Sequence, residues 1–297
     1  TREGGAEVIT GTSPFGTGHE TSWAQIVSDV LGVPFEDVKV VHGDTTLAPH
    51  GFDSYGSRSL IVGGAAVHAA AVEVRDKARE LAARLLECDP GDVELVTDGG
   101  GRFQVRGTSA GVSLAQVAEA SYASDAPEDV EPGLGCLRDS NLRTQTFPHG
   151  THIAVAEVDT ETGHVRLRSY VGVDDVGTVV NPVVVEGQQH GGIAQGIAQA
   201  LYEEASYDED GNLQGVALAD YGMPAAPDLP PFVVDRTATP ATSNELGSKG
   251  AGETGAIGAP PAVVNAVLDA VRHLGVRELQ VPMTPQRVWR ALQAARG

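Results

Sequence analysis

The chain is 297 residues long, more than one small domain needs and enough for one large domain or two packed subdomains. Its 20 Lys+Arg stand against 40 Asp+Glu, a formal net charge of −20, which argues against non-specific nucleic-acid or anionic-membrane binding. Two cysteines, Cys88 and Cys136, lie far from any CxxC spacing, so an iron–sulfur cluster or structural zinc site must come from elsewhere. With 41% hydrophobic but only 5% aromatic residues, the core has to be built from Ala, Val, Leu and Ile, and 37 glycines imply many tight turns. The longest Ala-rich apolar region, 63–88, is broken by Glu73, Arg75, Asp76, Lys77, Arg79 and Glu80 and does not read as a membrane span. No signal peptide heads the sequence, so a cytoplasmic location is expected.

In chain order, 6–10 reads as a strand, 19–31 as a helix closed by Gly32, 38–42 as a strand and 63–88 as a long amphipathic helix. Runs at 93–97 and 103–105 flank Asp98-Gly99-Gly100-Gly101 as a hairpin, followed by a helix over 113–120 with Ser113 as N-cap. Residues 121–150, rich in Ser, Asp, Pro and Gly, read as a connector between a first subdomain, 1–120, and a second, 151–297. In the second, strands are expected at 151–159 and 165–173 and a small-residue helix at 187–201. An irregular stretch over 222–256 follows, then helices at 261–274 and 285–296, the last with Thr284 as N-cap and Pro285 at its first position. The class is α+β, made of two α/β subdomains.

The densest chemical signal is Gly247-Ser-Lys-Gly-Ala-Gly-Glu-Thr-Gly255, a glycine loop holding Lys249, Gly250 and Glu253. It contains GxGxxG, but no strand leads into it and no acidic residue follows at ribose-binding distance, so it is not a dinucleotide fingerprint; Walker A spacing also fails. Glu253 reads either as a solvated turn carboxylate or as a general base held by rigid backbone with its pKa raised by burial. A second glycine turn, Gly16-Thr17-Gly18-His19-Glu20-Thr21, stands at a helix start, where free N–H groups favour an anion or a pterin oxygen. His19-Glu20 is not HExxH, because residue 23 is Trp, and it reads as first-turn chemistry rather than zinc. A third turn, Tyr55-Gly-Ser57-Arg58-Ser59, is either an ordinary capping turn or a phosphate-capturing one. After Asp174-Asp-Val-Gly-Thr-Val-Val-Asn181-Pro182, the run 186–196 places Gln188 and Gln195 seven apart on one helix face, where amides can offer donors and acceptors to a heterocycle. Packed surface amides are the plainer alternative.

Taken in order, GxGHET, HGDT, YGSRS, DDxGxxxNP, EGQxHGGxAQG and GSKGxGExG resemble the molybdenum hydroxylases, the family of xanthine dehydrogenase, aldehyde oxidase and carbon monoxide dehydrogenase. The resemblance covers essentially the whole chain and points to the C-terminal molybdopterin-binding half of the large subunit. It implies that Glu253 sits beside the molybdenum as the base for oxidation of an electron-poor C–H carbon, with water as the oxygen source. It also implies that Gly16, Thr17, Gly18, His19, Ser57, Arg58, Ser59, Gln188 and Gln195 hold the pterin and its nucleotide tail, with Asn181, Lys249 and Gly250 lining the same pocket. The metal takes its sulfur ligands from the pterin dithiolene, consistent with a chain so poor in cysteine.

The resemblance further implies a cytosine dinucleotide form of the cofactor, and [2Fe–2S] clusters and FAD on partner chains. The family's substrate-covering half of the large subunit has no counterpart in this sequence, so a large subunit divided between two polypeptides is expected. Cleavage before Thr1 is one origin of such a division, and a gene start after Met removal is a simpler one. The expected substrate is a small aldehyde, N-heterocycle or similar activated C–H compound. Thr17 stands where the family has Gln, one amide contact shorter. Two rival readings keep the fold: a metal-free acid–base enzyme, such as a dehydratase or cyclase, using Glu253, and a non-catalytic assembly subunit.

Overall fold

The computed structural model describes residues 1–48, 50–51, 53–98, 100–123, 132–140, 145–218 and 220–296. It divides into two compact units, Thr1–Thr146 with Pro240–Lys249, and Phe147–Thr239 with Gly250–Gly297. Residues 240–249 thus belong with the first unit, whereas the sequence expectation keeps them within 151–297. Of the expected connector, 124–131 and 141–144 lie outside the described residues, as does Gly99 of the expected hairpin.

The first unit opens with β1 (Ala6–Ile9), α1 (His19–Leu31) and β2 (Val38–Val41), the two strands pairing in parallel with Ala6 opposite Val38. α1 forms where its spacing predicts and ends at Gly32, whose φ of 68° is the left-handed conformation that closes a helix at little cost to glycine. The expected long helix is α2 (Ala65–Leu85), preceded by a π-turn at Leu60–Gly64. Its charges make short-range pairs, Lys77 to Glu73 at 3.1 Å and Arg79 to Asp76 at 3.2 Å, leaving Val67, Ala71, Ala78, Leu81 and Ala82 for the core. β3 (Val93–Val96), β4 (Arg102–Val105) and β5 (Gly111–Ser113) form an antiparallel sheet, and α3 (Leu114–Ala120) starts in a capping box of Ser113 and Gln116. β5 is too short for its alternation to stand out in the sequence.

The second unit stacks two helices on a three-stranded sheet of order β6-β7-β8: β6 (His149–Val158), β7 (Val165–Asp175) and β8 (Phe232–Thr237). β8 lies inside the stretch expected to be irregular. Its six residues alternate half-buried and exposed, but Pro230 and Pro231 directly before it carry the loop signal, and its partner β7 is distant in sequence. α4 (Pro182–Leu201) begins five residues earlier than expected, because Asn181 accepts a 2.9 Å bond from Val184 N–H and Pro182 takes the first helical position.

α5 (Thr254–Arg272) corrects the expected start at 261: it runs through Pro260 and Pro261. Prolines inside a helix remove two donors and normally end it. Here the buried series Gly255, Ala259, Val263, Val267, Val271 continues at every fourth residue across them. This helix is long and apolar enough by composition to cross a membrane, but that buried stripe lies in the core formed with Tyr170, Ile193 and Ile197, so it reads as a core helix. α6 (Pro285–Arg296) closes the chain, burying Val288 and Leu292, with Arg287 paired to Glu204 at 2.5 Å.

α4 and α5 meet through small residues. A Cβ on Gly196 would stand 2.7 Å from the Ala259 Cβ, and one on Gly192 would stand 3.0 Å from the Ala256 nitrogen. Only glycine lets the two backbones approach this closely, which explains the Gly- and Ala-rich composition of α4.

Candidate functional site

In the first unit the three N-terminal motifs converge. Gly18, with φ 68°, precedes α1, whose first turn has no side-chain cap. His19 stacks on Trp23 at 5.1 Å, and its Nδ1 lies 3.3 Å from the Thr17 hydroxyl and 3.4 Å from that of Ser54. Burial, and secondly the nearby His42, hold the His19 imidazole below its usual pKa. His42, from the HGDT motif, is bonded to Glu20 at 2.6 Å.

The turn at 55–59 leads into the helical turn 60–64 with Ser59 at its N-cap, without a side-chain cap bond. Ser59 is buried and donates 2.7 Å to Ser54, whose hydroxyl in turn donates to the Ser13 carbonyl at 2.8 Å. Arg58 lies over the Tyr55 ring at 4.2 Å, and Ser57 takes a φ of 53°, rarely adopted by a residue with a side chain. Gly16 is exposed, with no atom within 4 Å of where a Cβ would be. Lys249 is buried at the end of this unit's returning strap, where Asn244 clamps Ser248 with bonds of 3.0 and 3.2 Å.

In the second unit, α4 has two distinct faces. At 3.6 residues per turn, Gly187, Gly191, Gln188 and Gln195 fall within about 100° of one another, as the sequence spacing requires. No atom lies within 4 Å of a would-be Cβ at Gly187 or Gly191; Gln188 is half-buried and Gln195 exposed. The opposite face buries Gly192, Ile193, Gly196, Ile197 and the whole of Gln189. Asn181 is the α4 cap described above, and Gly250 is buried.

Glu253 is the N-cap residue of α5 and is exposed. The burial invoked for it from sequence is therefore not supplied by this chain, which corrects that expectation. What the chain supplies is a rigid mount: Gly255, two residues on, is wedged against α4, where a Cβ would stand 2.6 Å from the Ile193 nitrogen and 2.8 Å from the Gln189 carbonyl oxygen.

Beneath that mount lies a polar network the sequence reading missed. Asp174, at the end of β7 and 2% exposed, accepts bonds from His152 Nε2 at 3.1 Å and Gln189 Nε2 at 3.0 Å. His152 Nδ1 lies 2.7 Å from the Tyr170 hydroxyl, and Gln189 Nε2 also donates 3.1 Å to the Asp235 carbonyl. Burial raises the Asp174 pKa, but the bonds from His152 and Gln189 outweigh it and the net shift is downward. Burial first, and the Asp174 charge second, raise the Tyr170 phenol well above its usual value, so it stays a donor. The available signal was a pair of adjacent carboxylates ending an alternating strand, where one of the two must fall on the buried face and so require partners.

A pH prediction follows with its sign. A carboxylate whose folded pKa is depressed contributes stability above its unfolded value, near 3.8, and loses that contribution as the pH falls through the folded value. Asp174→Asn is expected to lower stability at pH 7 while shrinking the loss between pH 7 and pH 3. Urea unfolding at both pH values checks this, and an acid loss as large as in the wild type contradicts it.

The donor sets suit a pterin nucleotide. An open glycine face flanked by two amides leaves room for a flat heterocycle, and the uncapped α1 turn suits an anionic tail. Among the described residues no cluster of His, Cys, Asp and Glu suits a directly ligated metal, which is compatible with a metal held through its cofactor's own ligands.

The fold is α+β, and comparison with known proteins specifies the family. Residues 1–230 match the molybdopterin cofactor-binding domain, and the chain belongs to that family. It is 38% identical over 291 residues to the carbon monoxide dehydrogenase large chain of Hydrogenophaga pseudoflava, covering 98% of this chain and 36% of that one. It is 37% identical to the nicotine 6-hydroxylase large subunit of Paenarthrobacter nicotinovorans, covering 97% and 35%. Among solved structures, the quinoline 2-oxidoreductase of Pseudomonas putida 86 superposes with a TM-score of 0.91 at 38% identity, covering 99% of this chain and 37% of that one. A Cu,Mo carbon monoxide dehydrogenase superposes equally well, at 0.91 and 36% identity, covering 97% and 36%. The chain spans about a third of the length of these relatives, and the molybdenum-hydroxylase resemblance read from its motifs stands.

Proposed function

We propose that this chain is the molybdopterin-binding part of a multi-subunit molybdenum hydroxylase that oxidises an aldehyde, N-heterocycle or similar activated C–H substrate with oxygen from water. The observation that carries the reading is Glu253: a single carboxylate exposed at the start of α5, on backbone fixed by the Gly255 contact with α4, in a chain of the molybdopterin-binding family. Relatives named for nicotine 6-hydroxylation and quinoline 2-oxidation support an N-heterocycle as substrate.

In this reading Gly16, Thr17, Gly18, His19, Ser57, Arg58 and Ser59 of the first unit, and Asn181, Gln188, Gln195 and Gly250 of the second, serve the pterin and its nucleotide, a cytosine dinucleotide. Backbone N–H groups of the glycine turns and the two amides bind and orient it. Lys249 places a cation at the root of the Glu253 loop. Bound molybdopterin supplies the two-electron acceptor for the substrate's C–H bond. Glu253 accepts the proton of the attacking oxygen on a carboxylate oxygen, as general base. The two cysteines cannot hold an iron–sulfur cluster, so [2Fe–2S] clusters lie outside this stretch of sequence, and in this reading they and FAD sit on partner chains.

The test is isotopic. The native assembly, given a panel of aldehydes and N-heterocycles in ¹⁸O-labelled water, is expected to place ¹⁸O in the oxidised product. Turnover of a panel member without label from water contradicts the hydroxylase reading.

A further inference from the structure

We infer that Asp174 is the positioning residue of the Glu253 loop: its buried carboxylate ties β6, β7, α4 and the first turn of α5 into one junction and so fixes the backbone that carries Glu253. The inference rests on the reading of Glu253 as the base and identifies what holds that base in place. Each element contributes a named group. His152 of β6 and Gln189 of α4 donate to the two Asp174 oxygens, Oδ1 and Oδ2 respectively, and the Thr254 side chain lies near enough to the carboxylate to help hold its pKa down. Thr254 directly follows Glu253, and its hydroxyl donates 3.2 Å to the Ala251 carbonyl, which pins the glycine loop to the first turn of α5. Gly255 is enclosed by the Gln189 carbonyl and the Ile193 nitrogen, and a Cβ at Gly258 would stand 2.7 Å from His152 Cδ2. Three of the first five residues of α5 therefore rest on Asp174 or on the groups it holds.

The hydrogen bonds have a direction. The phenol of Tyr170, kept protonated, donates to His152 Nδ1, which leaves Nε2–H to donate to Asp174; Gln189 donates to it as well. The junction thus needs two acceptor oxygens at position 174. An asparagine has one; its NH₂ would face the N–H of His152 or of Gln189, and turning the Gln189 amide to accept from it would give up the bond to the Asp235 carbonyl. Neither partner can withdraw to water, because the His152 side chain is 5% exposed and Gln189 is fully buried.

The test is hydrogen exchange on the full chain with its native companions, comparing wild type with Asp174→Asn. Amide exchange over residues 250–258 is expected to rise about tenfold or more, well beyond any rise in α6, with the first unit unchanged. kcat is expected to fall at unchanged KM and unchanged molybdenum content. Exchange at 250–258 that is unaltered, or raised equally throughout the second unit, overturns the inference, as does a joint fall of kcat, metal content and substrate affinity. Thr254→Val removes only the hydroxyl and keeps the side-chain volume, so it guards against a variant that fails to fold. A smaller rise confined to 250–258 is expected, and no rise overturns the inference. Should Glu253→Gln prove fully active while Asp174→Asn loosens 250–258, the general-base reading fails and the positioning stands.

Discussion

Replacing Glu253 with Gln is expected to abolish turnover, by about 10²-fold to 10⁴-fold or more, while leaving folding and cofactor content intact. The amide has nearly the volume of the carboxylate but cannot take a proton at neutral pH. Because Glu253 is exposed and caps α5 without a side-chain bond to that helix, the substitution removes no cap from the fold. Steady-state kinetics beside molybdenum and pterin analysis of the same preparation check this. Wild-type turnover in the variant removes Glu253 from the mechanism.

Gly255→Val is expected to cost about 3 kcal/mol or more, a large share of a domain's stability. The new Cβ would meet backbone on three sides, at 2.6 Å from Ile193 N and 2.8 Å from both Gln189 O and Gly192 C, and a backbone neighbour cannot swing aside as a flexible side chain can. Gly191→Ala is the matched control. It lies on the same α4, with nothing within 4 Å of the new Cβ, and should stabilise by about 0.5–1 kcal/mol through helix propensity alone. Chemical denaturation of both variants decides. A Gly255→Val protein as stable as the wild type shows that the α4–α5 contact is not the mount described.

Much of this protein is legible in its sequence, for a physical reason: local periodicity and capping are local properties. α1, α6 and the Ser113 cap of α3 appear where spacing and caps put them, and the six ordered motifs mark the family before any coordinate is known. What escapes is decided by distant partners. β8 owes its existence to β7, some sixty residues earlier, and two prolines beside it carry a loop signal. α5 passes through Pro260 and Pro261 because α4 offers it a groove of glycines, which no local rule anticipates.

The candidate site divides in the same way. Glu253, Gln188 and Gln195 could be read from glycine context and helical spacing, and α4 keeps both amides on the face with open space. His152, Asp174 and Gln189 could not be so read, because their partnership joins three elements in the fold. Ser59 and Asn181 show the converse: each carries polar chemistry that the chain uses locally, in a hydroxyl relay and a helix cap.

The central claim, that this chain works with molybdopterin, is tested most directly by elemental analysis and pterin extraction of the chain purified natively with whatever accompanies it. About one molybdenum and one pterin per assembly, with iron and flavin in the accompanying chains, is the result that the proposed function predicts. A stable, folded assembly with neither molybdenum nor pterin would contradict the account and favour a metal-free acid–base enzyme built on the same fold.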